Sequence, residues 1–130
     1  MTEIIHIDIY NADILLHIGN NKQLLKYMRA NGLASYIKDM KQLLGKNEQT
    51  TLGRTMQLDS GQTIILFKRN PEPSLLAHEV FHAACMILNR IGITLSEESD
   101  EAYAYLIQFI TQKICNVVTL SPSDDTLYQS

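Results

Sequence analysis

The segment His78-Glu79-Val80-Phe81-His82 constrains this chain more than any other. It lies in a run from about Ser74 to Ile91 that reads as one helix, with Leu75, Leu76 and Ala77 before it and Ala83, Ala84 and Cys85 after it. Histidines four residues apart lie above one another on one helix face, so both imidazoles can reach a single ion. Glu79 follows His78 at about 100° around the axis. From there it can touch a metal-bound water without being a ligand. These residue types at this spacing suit a zinc ion that lowers the pKa of water and a carboxylate, Glu79, that takes the proton. An ordinary helix with part-exposed histidines is the competing reading, and the apolar flanks favour the ion.

A catalytic zinc takes three protein ligands and leaves one position for water. The acidic candidates are Glu97, Glu98, Asp100 and Glu101, at the expected start of the last helix. The 19 residues from His82 to Glu101 let the chain finish one helix, turn at Gly92 and return as an antiparallel partner. Glu101 is preferred, because Ala102 and Ala104 allow close helix approach and its place inside the helix is firmly set. Glu97 is the alternative, with Glu101 then supporting a histidine from behind. All four acids also suit the positive end of a helix dipole. Cys85, three residues past His82, reads as a small buried hydrophobe rather than a ligand.

The remaining sequence describes one α+β domain over residues 1–120, followed by a tail at 121–130 that reads as frayed. Glu3–Tyr10 alternates as a strand, Asn11-Ala12-Asp13 reads as a turn, and Ile14–Ile18 reads as a second strand. A helix capped by Asn20 or Asn21 runs to about Ala30, and another spans Leu33–Leu44. Arg54–Leu58 and Thr63–Lys68 flank Asp59-Ser60-Gly61-Gln62 as a hairpin. The near-continuous apolar run of Thr63–Lys68 implies cover on both faces. Ser74 is the expected N-cap of the HExxH helix, and Ser96 that of a helix from about Glu97 to Val118.

With 45% hydrophobic and 19% charged residues, the chain has the balance of a globular protein with a real core. No apolar run reaches membrane-spanning length, and the first residues lack the pattern of a secretory signal. A net charge of −3 without a basic cluster argues against nucleic acid as a partner. Cys85 and Cys115, both in apolar helical context, fit a reducing, cytoplasmic location.

The hairpin strand, the pentapeptide and then Asp100-Glu101-Ala102-Tyr103-Ala104-Tyr105-Leu106 together resemble the gluzincin branch of the zincin metallopeptidases. More narrowly, the chain looks like the small HExxH proteins of bacteriophages and mobile elements; the Ile7-Asp8-Ile9-Tyr10 segment and the strand before Asn70-Pro71 share in that likeness. The resemblance implies a minimal zincin-like fold, a small mixed sheet packed on an active-site helix and a glutamate helix. It implies zinc held by His78, His82 and Glu101, and a peptide or protein substrate laid by strand addition along Thr63–Lys68 as the edge-side strand near the cleft. Tyr103, Tyr105, His6 and His17 are candidate oxyanion helpers. The alternative function is a catalytically silent metal-binding or protein-interaction module. A nucleic-acid regulator is a third reading with little support.

Overall fold

In the computed structural model, residues 1–45 and 51–122 are described. The chain begins with β1 (Thr2–Ile7), which turns through a short 3-10 segment at Asp8–Tyr10 into β2 (Ala12–Ile18). Asn11 closes that turn in the left-handed region at φ 48°, a conformation Asn tolerates better than most residues. The expected strand Glu3–Tyr10 thus stops at Ile7. Next come α1 (Asn21–Ala30) and α2 (Ile37–Leu44), then β3 (Gly53–Gln57) and β4 (Thr63–Phe67), and finally α3 (Pro73–Arg90) and α4 (Asp100–Val117). Leu33–Leu44 is split, since Ala34–Tyr36 forms a 3-10 turn before α2.

The four strands form one mixed sheet in the order β1-β2-β4-β3. β2 and β4 run parallel at its centre, and β1 and β3 pair antiparallel at its edges. Alternation along β4 explains how the sheet is covered. Ile65 and Phe67 join the core with α3 and α4, while Ile64 and Leu66 join a second core with α1 and α2. All five β4 residues are buried, as the apolar run implied. The architecture is therefore α+β, with helices on both faces of the sheet.

One expectation is corrected by this order. Thr63–Lys68 is not the edge strand beside the helix; β4 is interior, and β3 is the edge. The reason is that β4 pairs β2 on one side and β3 on the other, so its backbone groups are used on both sides.

Helix starts follow local chemistry. Asn20 caps α1 in a full capping box with Gln23. At α3 Pro73 takes the first helical position and Glu72 the cap, displacing the expected Ser74. α4 begins at Asp100, three residues later than expected. Ser99 draws the preceding turn closed by accepting from the Ser96 amide at 2.9 Å and donating to the Thr94 carbonyl, which leaves Glu97 and Glu98 in the turn. Of the expected tail, Ser121 is anchored to Pro71 and Asn70, and residues 123–130 lie outside the described residues. Among the described residues no helix is long and apolar enough to cross a membrane.

His17 on β2 is 1% exposed. Its Nε2 donates to the Asn20 carbonyl at 2.9 Å, so its Nδ1 accepts from the Thr2 hydroxyl at 2.7 Å. Burial lowers its pKa from the ordinary 6.5, against the raising effect of the Asn20 carbonyl. A base with a depressed folded pKa binds fewer protons folded than unfolded, so its contribution is complete above the ordinary value and is lost as pH falls below it. Urea denaturation midpoints should therefore drop between about pH 7 and about pH 5, and the drop should be shallower in His17→Gln.

Candidate metal and base site

The face that α3 buries determines which of its residues can act. Leu76, Val80, Ala83, Ala84 and Ile87 are buried, and their spacing centres the buried stripe near Val80. His78 and His82 stand about 160° and 200° from Val80 around the axis, on the opposite side. Both are accordingly exposed. Their Nε2 atoms are 3.1 Å apart and their ring centroids 4.7 Å apart.

That separation fits one shared ion. Two bonds of about 2.0–2.1 Å to a tetrahedral centre place their donor atoms roughly 3.3 Å apart. The same distance also allows one imidazole N–H to donate to the other nitrogen. The donor chemistry therefore fits zinc at two positions.

Glu79 lies between the histidine face and the sheet. It is 5% exposed, and its partner comes from the edge strand. The Thr55 hydroxyl lies 2.9 Å from Glu79 Oε1 and 3.1 Å from the Glu79 backbone carbonyl. Glu79 Oε2 is 3.9 Å from His78 Nε2. Among the described residues Oε2 has no hydrogen-bond partner. One carboxylate oxygen is thus held by Thr55, and the other lies beside His78.

Alternation along β3 explains why Thr55 is available. Met56 faces the core under α1 and α2, which turns Gly53, Thr55 and Gln57 toward α3. Gln57 donates to the Met86 carbonyl at 3.3 Å. A Cβ on Gly53 would meet Leu75 Cδ1 at 3.1 Å and Phe67 Cδ1 at 3.2 Å, so the absent side chain lets helix and strand approach. In the turn after β3, the Asp59 backbone carbonyl accepts from the Arg90 guanidinium at 2.9 Å. Sequence reasoning missed Thr55; the signal available was the small and polar alternation of Gly53, Thr55 and Gln57 along the first hairpin strand.

The third expected ligand is not brought to this pair. On α4 the buried residues are Tyr103, Leu106, Ile110 and Ile114. Glu101, two residues before Tyr103, is about 200° away from that stripe and is exposed. The Tyr103 hydroxyl bonds the Ile93 carbonyl at 2.8 Å and Asn89 Oδ1 at 3.1 Å, which docks the start of α4 beside the far end of α3. Glu97, Glu98 and Asp100 are exposed as well. Among the described residues no group of three His, Cys, Asp or Glu side chains is arranged to hold a metal.

The suggested oxyanion helpers are engaged or turned elsewhere. His17 is buried on β2, and His6 pairs with Asp13 at 2.8 Å on the exposed side of β1. Tyr103 is 2% exposed, with its pKa raised by burial and then by the Cys85 charge. Tyr105 points outward at 68% exposure. Burial also raises the Cys85 pKa, which favours the thiol over the ligating thiolate.

The chain matches no protein-family model, no curated protein and no solved structure, so the site rests on its own geometry. Competitive zinc titration of the purified protein should show one bound ion per chain. His78→Ala and His82→Ala should each weaken binding by more than the roughly 10- to 100-fold that losing an outer-shell partner of a ligand costs. If α4 turns Glu101 to the pair on binding, Glu101→Ala should lose as much as His78→Ala, and unchanged binding would show that Glu101 stays where this structure places it.

Proposed function

We propose that the chain is a zinc-dependent peptidase of the zincin type. The observation that carries this reading is the Glu79 carboxylate, held by Thr55 on one oxygen and presenting the other beside paired imidazole nitrogens. A site that only stored a metal would have no use for a carboxylate in that place.

His78 and His82 would hold the ion through their Nε2 atoms. When bound, zinc would polarise the scissile carbonyl and make water acidic near neutral pH. Glu79 would accept a proton from the attacking water at Oε2 and hand it to the leaving amine. Glu101 is the third ligand proposed from the family resemblance, with Glu97 as its alternative. Glu101 would need the first turn of α4, and Glu97 the turn before it, to move toward the histidines.

The substrate would be an extended peptide added to the edge of β3. Leu52 bonds Lys68 and Leu58 bonds Gln62 across the β3–β4 ladder. Antiparallel alternation then turns the N–H and C=O groups of Gly53, Thr55 and Gln57 away from β4. These are the groups a peptide strand would pair with.

A second reading, a silent zincin-like interaction module, is favoured by the donor set, which among the described residues holds two histidines without an assembled third ligand. Glu79→Gln separates the two readings. On a peptidase it should keep zinc and lower cleavage of a quenched-fluorescence peptide library by at least about 100-fold, the usual contribution of a general base. No cleavage by zinc-loaded wild type would favour the module.

A further inference from the structure

We infer that Thr55 is a positioning residue for Glu79. The inference rests on the peptidase reading for its catalytic consequence, but its structural basis is independent of metal. Thr55 carries one hydroxyl proton, shared between Glu79 Oε1 at 2.9 Å and the Glu79 carbonyl at 3.1 Å. A single side chain thereby fixes both the carboxylate and the helix backbone from which it projects. Glu79 is 5% exposed, and among the described residues Thr55 is the one hydrogen-bond partner of its carboxylate, so its rotamer depends on this contact. With Oε1 held, Oε2 is the oxygen left facing His78, at 3.9 Å.

Thr55 also lies on the edge strand, with its own N–H and C=O turned away from β4. A peptide paired along β3 would bond the backbone of the residue whose hydroxyl aims the base. Ground-state docking and base alignment would then share one residue, and the hydroxyl would serve the second without contributing to the first.

The test compares wild type, Thr55→Val, which keeps the branched shape and removes the hydroxyl, and Thr55→Ser, which keeps the hydroxyl. On the best-cleaved peptide of a quenched-fluorescence library, Thr55→Val should lower kcat by about 10- to 100-fold with KM unchanged, part of what a general base contributes. Thr55→Ser should restore most of it. In the Glu79→Gln background, Thr55→Val should have no further effect on kcat. Crystal structures grown without added zinc supply a readout free of activity: the Glu79 carboxylate should leave its place in Thr55→Val and keep it in Thr55→Ser. Equal losses of kcat in Val and Ser, a further loss in the Glu79→Gln background, or an unmoved carboxylate in Thr55→Val would overturn the inference. An inactive wild type would overturn the peptidase reading alone, and the carboxylate position would then decide the role of Thr55.

Discussion

A carboxylate pressed between a helix and a sheet needs a donor, because burying it without one costs far more than the contact around it can return. Glu79 meets that need through the Thr55 hydroxyl, and much of the arrangement of α3 follows from it. The helix must lie close enough to β3 for the hydroxyl to reach both the carboxylate and the backbone. Gly53 permits the approach beside Leu75, and Gln57 and Arg90 tie the rest of the helix to β3 and the turn that follows it. With α3 held at this rotation, the histidines face away from the core and share open surface.

Rotation about the helix axis, rather than distance along the chain, decides which residues can meet. His78 and His82 meet because four residues nearly complete one turn. Glu101 is a suitable number of residues away, yet its own helix turns it from the core while Tyr103 takes the inward place. α3 continues to Arg90 before the chain reverses, so α4 starts beside Asn89, well beyond His82. In the proposed zinc site a third donor would have to come from a rearranged α4 or from elsewhere.

Much of this was legible in the sequence. The HExxH helix follows from its apolar periodicity, α1 from the Asn20 cap, and the buried character of β4 from its unbroken apolar run. The order of the strands was not legible, because an apolar run says that both faces are covered and nothing about neighbours. Hence Thr63–Lys68 was assigned to the edge that β3 occupies. The start of α4 was misplaced because Ser99, not Ser96, organises the turn through its side chain. Thr55 was invisible as a functional residue because its partner, Glu79, is 24 residues away, and only the register of β3 against α3 brings them together.

In the proposed reading the His78–His82 pair and the Glu79 carboxylate form one metal-and-base site. It is tested most directly by a crystal structure of the zinc-loaded protein with anomalous data at the zinc edge. The account predicts a single anomalous peak about 2.0–2.1 Å from both Nε2 atoms, with Glu79 outside the coordination sphere, still bonded to Thr55 and turned toward the ion's water. A peak elsewhere, or Glu79 bound directly to the ion with Thr55 released, would contradict it.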